Sequence, residues 1–385
     1  MREEYDAIVL GGGYFGCSAA YHLSKSGIHT LLVEKNEIAS GASGANFGNV
    51  QVQDSNMGLS LEMTLEGFRR MRNMEKELGL DIGYTACSSM IVAEKEEHIP
   101  GLLQLYEEKK EAGLAIHWLE GKEVNEAEPN LAKGEVKAAT CYEQGRIYPF
   151  RYLFALVKRA KDLGLEVSER TEVAAVLVEG GACAGIILKD GRTIRARIVV
   201  VAGGSGTTEI CRTAGLKIPI FSAKSECFVT EPIGPFLRHD VSSAAFFADA
   251  HNGKTAATAL CAEQSLYGNI LIAETTKPYE LVKPEYSDLC SPEQRENIRD
   301  LILRFFPSLA GIKILRSWCV PSPATPTFEP VLGESPVPGL IVDAGFKSAV
   351  VMSAVSGSIV ADLANGKTPA FDLSGFTSRI QKAEA

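Results

Sequence analysis

Apolar residues occur in short runs along the amino-terminal part of the chain, separated by glycines and polar turns. Residues 8–10 form an apolar run of the buried-strand type, and residues 31–33 form a second one. Glycines follow the first run directly, and the segment between the two runs is predicted to be helical. The pattern therefore predicts a strand, a tight turn, a helix and a second strand, in the order of a βαβ unit.

The glycines of this turn have the spacing G-x-G-x-x-G. Gly11 allows the tight turn, Gly13 lets the backbone approach a pyrophosphate, and Gly16 lets the helix pack on the strand. The helix then directs its N–H groups and positive dipole end at the phosphates. Glu34 closes the second strand 21 positions after Gly13, close to the ~20 expected for an acid that binds a ribose diol. Such an acid repels a 2′-phosphate, which argues against NADP.

The rest of the chain alternates between helical and strand-like patterns without an internal repeat. Helices are predicted at 58–79, 99–112, 122–126, 150–163, 292–306 and 348–363. Strands are predicted at 89–93, 166–168, 171–178, 184–188, 193–201, 227–230, 244–247, 255–260, 269–273 and 340–342. The strand at 193–201 leads into a second Gly-Gly turn at 203–204, and residues 40–48 form a glycine-rich loop. Residues 321–330 are too rich in proline for a central strand.

These elements predict an α/β fold (α+β overall) in which the nucleotide-binding part is not contiguous. We expect a Rossmann-like domain from residues 1–80, 150–215 and 330–385. A mainly antiparallel β substrate domain from residues 81–149 and 216–329 is expected to be inserted into it.

Composition excludes several classes of function. The 385 residues are 45% hydrophobic and carry a net charge of −9 without a basic patch, which argues against nucleic acid as a partner. The acidic start is no signal peptide, and no stretch of 18 apolar residues lacks charge, so we expect a cytoplasmic protein without a transmembrane segment. The nine cysteines are odd in number and include no C-x-x-C pair, so neither a disulfide framework nor a metal site is expected.

Several stretches together resemble the D-amino-acid oxidase superfamily of flavoproteins. They are the amino-terminal fingerprint, the Ser-Gly-Ala-Ser-Gly loop at 40–44, the Val-Ala-Gly-Gly turn at 201–204 and the strand–glycine–helix segment that begins at 339. Residues 264–272 are also similar to that family's Gln-x-x-x-Gly-x-x-x-Ile strand pair. The resemblance covers nearly the whole chain, and it implies FAD as the cofactor.

Residues 45–53 resemble the Gly-Asn-Phe-Gly-x-Val-x-Val-Gln stretch of one subgroup, and residues 80–84 are similar to it as well. That subgroup contains the β subunits of heteromeric opine, hydroxyproline and proline dehydrogenases and the flavin subunit of hydrogen cyanide synthase. The resemblance implies oxidation of an amino acid or secondary amine to an imine, by hydride transfer to flavin N5. It also implies a second redox subunit, carrying flavin and/or an iron–sulfur centre, in a hetero-oligomer.

The resemblance further implies an FAD site drawn from several distant stretches. Close approach to the isoalloxazine needs a residue without Cβ at Gly345. The helix that begins around Ser348 is expected to face the negative charge of the reduced flavin, to which Lys347 adds a positive charge. The backbone of Val173 is expected to meet the adenine. The residues expected to contact FAD are Gly11, Gly13, Tyr14, Phe15, Gly16, Glu34, Lys35, Ser40, Ala42, Ser43, Asn46, Phe47, Gly48, Val173, Ala202, Gly203, Gly204, Gly345, Phe346, Lys347 and Ser348.

The catalytic candidates are Lys347, Gln264, Glu226 and Tyr267. Glu226 lies on a predicted strand and could take a proton. The family often carries a carboxylate-binding arginine in a Trp-x-Gly-Leu-Arg-Pro-x-Thr-Pro segment, but residues 318–326 of this chain have Ser322 in its place. A serine offers no bidentate fork for a carboxylate. The possible substitutes are Arg316, Lys224, Arg146 and Lys254, each also readable as a surface charge, and His251 is expected to be solvated in a turn.

Three functions remain open at this point. The leading hypothesis is an FAD-dependent amine dehydrogenase that acts as the catalytic subunit of a larger complex. The alternatives are a free-standing oxidase of the glycine, sarcosine or D-amino-acid type that uses O₂, and a non-catalytic flavin-binding scaffold subunit. An NAD-binding protein is disfavoured by the second Gly-Gly turn and the carboxy-terminal motif.

Overall fold

The computed structural model describes residues 2–245, 260–278 and 292–383. Within these ranges, no helix is long and apolar enough to span a bilayer. The chain forms two compact units. The first contains Met1–Tyr84, Ile147–Phe221 and Ser322–Ala385, and the second contains Thr85–Arg146 and Ser222–Pro321.

The described strands, in chain order, are β1 Glu4–Leu10, β2 Thr30–Val33, β3 Asn49–Val50, β4 Thr85–Ala93, β5 His117–Glu120, β6 Ala138–Arg146, β7 Glu166–Ser168, β8 Val173–Glu179, β9 Ala182–Leu188, β10 Thr193–Val201, β11 Leu216–Lys217, β12 Phe221–Pro232, β13 Asp240–Ser243, β14 Cys261–Gln264, β15 Asn269–Pro278, β16 Ile314–Ala324, β17 Val331–Glu334, β18 Leu340–Ala344 and β19 Gln381–Lys382. The described α-helices are α1 Tyr14–Lys25, α2 Ala42–Ala45, α3 Leu59–Met71, α4 Met74–Leu78, α5 Ile99–Glu111, α6 Lys122–Ala127, α7 Pro149–Asp162, α8 Thr207–Thr213, α9 Pro292–Phe305, α10 Ala349–Ala364 and α11 Ser374–Thr377.

The first unit is built on a parallel sheet with the strand order β17-β18-β10-β1-β2-β7. The neighbours from β18 to β7 run parallel, whereas β17 joins the edge antiparallel to β18. The strands β1, β2 and β18 are mostly apolar and largely buried, as expected for strands covered on both faces. An antiparallel ribbon of β8 and β9 continues from β10. The carboxyl ends of β1 and β10 therefore lie side by side, and both lead into glycine turns.

The helices α1 and α10 pack closely in this unit because small residues line their contact. A Cβ on Gly357 would lie 2.5 Å from the backbone carbon and oxygen of Ser18. The Ser18 hydroxyl donates to the Ser353 carbonyl oxygen across the same contact, at 2.6 Å. The close approach fixes the position of the amino terminus of α10 relative to α1.

The second unit is a mainly antiparallel sheet with the order β16-β12-β15-β14-β13-β4-β6, and β5 pairs with β6. The pair β13 and β4 runs parallel. One face carries an apolar cluster that includes Met90, Phe228, Ile272 and Phe305. The α/β fold class, with a Rossmann-like parallel sheet and a mainly antiparallel β part, is confirmed.

Several predicted elements differ from the structure. The predicted helix 58–79 is two helices, α3 and α4, separated at residues 72–73. The strand predicted at 244–247 is wrong at its described residues, because β13 ends at Ser243, whose hydroxyl accepts the N–H of Ala245 at 3.1 Å in a turn. The strand predicted at 255–260 lies outside the described residues except for Leu260. Pro321 and Pro323 belong to β16, which is the last strand of its sheet, so the exclusion of a central strand holds.

Candidate functional site

The fingerprint glycines lie at the carboxyl end of β1 in positions that admit no side chain. Gly11 has φ +111°, and a Cβ there would lie 2.4 Å from the carbonyl oxygen of Ala202. Gly16 is packed still more tightly, since its Cβ would lie 1.8 Å from the Gly11 carbonyl oxygen. The first turn of α1 thus rests on the strand, and the turn after β1 touches the turn after β10.

Gly13 directly precedes α1 in an extended conformation and places no capping side chain over the start of the helix. A Cβ at Gly13 would meet only the Ser43 side chain, with the hydroxyl oxygen at 2.7 Å. Gly203 has only ordinary contacts around its missing Cβ, and Gly204, at φ +57°, has no heavy atom within 4 Å of it. We call the bare backbone of Gly11, Gly13, Gly203 and Gly204 the glycine cradle. Its shape and its proximity to a helix amino terminus suit an anionic diphosphate.

Glu34 follows β2 and points its carboxylate at the fingerprint turn. Its Oε2 accepts the N–H of Gly12 at 2.7 Å, and its Oε1 accepts the N–H of Asn36 at 2.8 Å. The acid therefore stands beside the glycine cradle, where an adenosine ribose would follow the diphosphate. Lys35, next to it, is exposed.

Residues 40–48 are fixed to the start of α1 by side chains that are expected from the sequence to contact FAD. The Tyr14 N–H donates to the Ser43 hydroxyl at 3.0 Å, and the Tyr14 hydroxyl donates to Asn46 Oδ1 at 3.1 Å. Asn46 Oδ1 also accepts the N–H of Gly48 at 2.7 Å. Gly48 has φ +92° and abuts the Ile147 carbonyl oxygen. Ser40 and Phe47 flank the one-turn helix α2, which begins at Ala42; Ser40 is exposed and the other two are half-buried.

The carboxy-terminal segment reaches α1 through an aromatic stack. The Phe346 ring lies on the Phe15 ring with centroids 4.0 Å apart and planes at 17°. Gly345 precedes it with φ +78°, and a Cβ there would lie 2.9 Å from Thr325 Cγ2. The contact with Thr325 and the positive φ therefore require glycine at this position, whether or not an isoalloxazine ring also needs the space. Ser348 precedes the first residue of α10, and its buried hydroxyl has no hydrogen-bond partner among the described residues.

Lys347 is not a solvated turn lysine. Its Nζ donates to the Asp54 carbonyl oxygen at 2.5 Å and lies 3.6 Å from Asp54 Oδ2. The Phe328 ring centroid is 5.9 Å from the same nitrogen, and only 14% of the Lys347 side chain is exposed. A small pocket beside it is lined by Ser55, Asn56, Ser60, Thr64, Phe328, Pro330, Phe346, Lys347, Ser348 and Met352. The lysine is therefore a partly buried cation at the start of α10 that is paired with the Asp54 carboxylate.

Sequence reasoning missed Asp54 and Glu329. Asp54 is the one charged residue between positions 38 and 61, which is a signal that the sequence carried. Glu329 accepts from Asn56 Nδ2 at 2.8 Å and from the Ser60 hydroxyl, so it ties the segment after Asp54 to residues 327–330. Val173, the first residue of β8, is half-buried and packs against the core around the parallel sheet.

The other three catalytic candidates belong to the second unit. Gln264 is fully engaged with backbone, since its Oε1 accepts from Phe236 N and Leu237 N and its Nε2 donates to the Gly234 and Gly268 carbonyl oxygens. These contacts hold a hairpin and a loop together, which is a structural role. Tyr267 lies at the tip of that hairpin and is 65% exposed.

Glu226 is completely buried in the middle of β12. By strand alternation it shares a face with Phe228, which belongs to the apolar cluster of the second unit. The thiol Sγ of Cys319, from the same cluster, lies 4.0 Å from Glu226 Oε1. The surroundings described for Glu226 are thus those of a core residue.

Of the proposed substitutes for the missing arginine, Arg146 is already engaged in an ion pair. Arg146 forms an ion pair with Asp240, which also accepts from Gln144 Nε2 at 2.6 Å. Burial raises the pKa of Asp240, and the Arg146 guanidinium opposes that rise. Arg316 is exposed on β16, while Lys254 and His251 lie outside the described residues and nothing is described of the Lys224 side chain.

The residues of the first unit fit FAD on two structural grounds. The glycine cradle leaves backbone open at the start of α1, and Glu34 stands next to it for a ribose. The charges are complementary as well, because the anionic diphosphate of FAD would face the positive end of the α1 helix dipole.

Comparison with known proteins agrees with this geometry. A glycine oxidase of Geobacillus kaustophilus is 28% identical over 388 residues, covering 98% of this chain and 97% of that protein. The crystal structure of glycine oxidase from this organism superposes with a TM-score of 0.87 at 26% identity and 98% coverage of both chains. The sarcosine oxidase subunit beta of Rhodobacter capsulatus is 25% identical over 359 residues, covering 90% of this chain and 81% of that protein.

The crystal structure of L-proline dehydrogenase from P. horikoshii has a TM-score of 0.82 at 26% identity, covering 96% of this chain and 95% of that one. The family model of the DAO FAD-dependent oxidoreductases matches residues 6–363. The chain therefore belongs to the DAO family of FAD-dependent oxidoreductases.

Proposed function

We propose that the protein oxidises a small amino acid or a secondary amine to an imine with bound FAD, as the catalytic subunit of a heteromeric dehydrogenase. The observation that carries the proposal is the glycine cradle beside the start of α1. It occurs in a chain similar, over 90% or more of its length, to glycine oxidase, sarcosine oxidase subunit beta and L-proline dehydrogenase. The substrates in these three names share an amine on the carbon next to a carboxylate.

In this proposal, several segments of the first unit bind different groups of FAD. The N–H groups at the start of α1 and the glycine cradle hold the diphosphate, and Glu34 accepts the ribose hydroxyls. The amino terminus of α10 and Lys347 stabilise negative charge that arises next to them. When bound, FAD supplies the acceptor for two electrons and a hydride from the carbon next to the substrate nitrogen.

The heteromeric part of the proposal is supported by residues 45–53, which resemble the β subunits of heteromeric dehydrogenases, and by the similarity to a named subunit of sarcosine oxidase. A second candidate is a free-standing oxidase that returns its electrons to O₂. It is favoured by the similarity to glycine oxidase, which extends over 98% of the chain.

The proposal is tested by anaerobic bleaching of the flavin in the purified holoprotein. Glycine, sarcosine, proline, hydroxyproline and opines are added one at a time, and the loss of visible flavin absorbance is followed. We expect at least one of these amines to bleach the flavin fully. Flavin that stays oxidised with every one of them, although dithionite reduces it, would contradict catalysis and favour a flavin-binding scaffold.

A matched variant tests where the flavin binds. In Gly13→Val the branched side chain would fill the open backbone at the start of α1, so we expect a colourless protein that retains less than a tenth of the wild-type flavin. Gly101→Ala is the control, because a Cβ at Gly101 meets no atom within 4 Å. Full flavin occupancy in Gly13→Val, with Gly101→Ala unchanged, would refute the placement of the diphosphate.

A further inference from the structure

We propose that Asp54 is a positioning residue that compensates the charge of Lys347 and thereby lowers the reduction potential of the flavin. The inference rests on the proposed function, because it takes FAD to lie against the amino terminus of α10. It assigns a role to a residue that is distant in sequence from both glycine turns.

The contact between the two residues is specific in geometry. The Lys347 Nζ donates to the Asp54 carbonyl oxygen at 2.5 Å and lies 3.6 Å from Asp54 Oδ2. Two oxygens of one residue thus hold the ammonium in one place. Only 14% of the lysine side chain and 7% of the aspartate side chain are exposed.

The surroundings make this pair electrostatically important. Asp54 Oδ1 is buried and accepts no hydrogen bond from the part of the chain that the structure describes. The Phe328 ring lies near the ammonium, and the hydroxyls of Ser55 and Thr64 are bonded to each other at 3.0 Å. Partly buried charges are screened less by solvent and salt than exposed ones. Removal of the Asp54 charge will therefore change the electrostatic energy of any charge that develops nearby.

The backbone of Phe328 supports a functional constraint at this position. Phe328 has φ +57°, which is uncommon for a bulky residue, and its N–H donates to the Thr325 carbonyl oxygen at 3.1 Å. Such outliers persist where the surrounding structure fixes them, and they cluster at ligand sites. Here the strained turn brings an aromatic face to the Lys347–Asp54 pair.

The nearby acid Glu329 is hydrogen-bonded to other side chains. Its Oε1 accepts from Asn56 Nδ2, and its Oε2 accepts from the Ser60 hydroxyl. Asp54 is therefore the acid whose carboxylate is paired with the Lys347 ammonium, at 3.6 Å. An uncompensated lysine would stabilise the negative charge of reduced flavin and raise the potential, whereas Asp54 offsets part of this contribution and leaves the rest to act together with the helix dipole.

The test is the reduction potential of the flavin in the holoprotein, together with its affinity for sulfite, neither of which needs turnover. In Asp54→Asn the carbonyl contact to Lys347 remains and the carboxylate charge is lost. We expect the potential to rise by about 30 mV or more, which for a two-electron couple is a tenfold gain in relative affinity for reduced flavin. Sulfite, an anion, is expected to bind about tenfold more tightly.

Two further variants separate charge from structure. Asp54→Glu keeps the charge and should restore the wild-type potential, while Lys347→Gln leaves Asp54 uncompensated and should lower it. Asp81→Asn is the matched control, because it removes a carboxylate from an exposed ion pair with Arg151. If Asp54→Asn does not fold, Lys347→Gln alone decides, and an unchanged potential there refutes the inference.

The outcomes distinguish this inference from the proposed function. Asp54→Asn that binds FAD with wild-type potential and sulfite affinity overturns the role of Asp54 and leaves amine oxidation untouched. Wild-type protein that binds no FAD overturns the proposed function itself.

Discussion

Asp343 is a completely buried acid in β18, two positions before the glycine that starts the carboxy-terminal turn. Burial raises its pKa from 3.8 to about 8, and the Ser356 hydroxyl on α10 partly offsets this. The carboxyl group is therefore protonated at neutral pH. A neutral acid in the core costs less than a buried carboxylate would.

The shifted pKa of Asp343 predicts a pH dependence of stability. Below pH 3.8 the folded and unfolded forms both hold the proton; between that pH and about pH 8 only the folded form does. Stability therefore falls as the pH rises through this window, by up to about 1.4 kcal/mol per unit. The variant Asp343→Asn has no titrating group at this position, so this loss of stability with rising pH is absent. The free energy of unfolding of the variant should therefore increase relative to that of the wild type from pH 5 to pH 8. Urea unfolding at fixed FAD saturation measures the difference.

The control for this experiment is Asp190→Asn. Asp190 is exposed, and hydrogen bonds from Arg192 lower its pKa, so it stays ionised across the same window. The free energy of unfolding of Asp190→Asn should change with pH in the same way as that of the wild type from pH 5 to pH 8. If Asp343→Asn also runs parallel to the wild type, Asp343 does not hold a proton at neutral pH.

For single residues, the sequence predicted which backbone positions need glycine better than it predicted which side chains far apart in the chain contact each other. The need for glycine at positions 11 and 16 follows from a turn and a helix that are themselves contiguous in sequence. The Lys347–Asp54 contact joins residues 293 positions apart, and no local pattern announces it. The lone charge at Asp54 was visible, but its partner depends on how the chain folds.

Helix α10 shows what decides structure at the scale of elements. It is apolar and buried over most of its length, so burial rather than an amphipathic stripe sets its place. Its amino terminus is positioned by the close contact of Gly357 with the backbone of Ser18 on α1. The geometry proposed for the flavin therefore depends on a glycine about three turns away from Lys347 (roughly 3.6 residues each).

This packing predicts the effect of Gly357→Ala. A Cβ there would lie 2.5 Å from the Ser18 backbone, so the two helices must separate. Overpacking of this kind costs about 1–3 kcal/mol, although alanine is the better helix former. Urea unfolding should show that loss, together with weaker flavin retention. Asp362→Ala, in the last turn of the same helix, is the control, and equal stability of both variants would contradict the predicted strain.

Element existence followed from periodicity, whereas the ends of elements depended on side-chain hydrogen bonds. The strand 193–201 was predicted with its exact limits because it is bounded by a turn and a Gly-Gly pair. The strand predicted at 244–247 was wrong because Ser243 turns the chain with its own hydroxyl. The order of the strands in the sheet, in which β10 lies between β1 and β18, could not be predicted from the sequence and is known only from the structure.

For the whole protein, the fold class and the cofactor could be predicted, but the electron acceptor could not. The fold class and the cofactor could be predicted because the glycine motifs of both ends of the chain match one family, to which residues 6–363 belong. The electron acceptor could not, because relatives of the same fold include both a glycine oxidase and an L-proline dehydrogenase. Fold does not fix function at this level.

The heteromeric proposal predicts slow reoxidation of the isolated chain in air. After reduction by its amine substrate, the flavin should transfer electrons to an artificial dye at least about ten times faster than to O₂, because in this proposal the acceptor is a redox subunit rather than O₂. Stopped-flow absorbance of the flavin gives both rates, and peroxide formation is measured in parallel. The Geobacillus kaustophilus glycine oxidase serves as the oxidase control. Stoichiometric peroxide at a rate that matches the dye-coupled rate would instead identify a free-standing oxidase and remove the need for a partner.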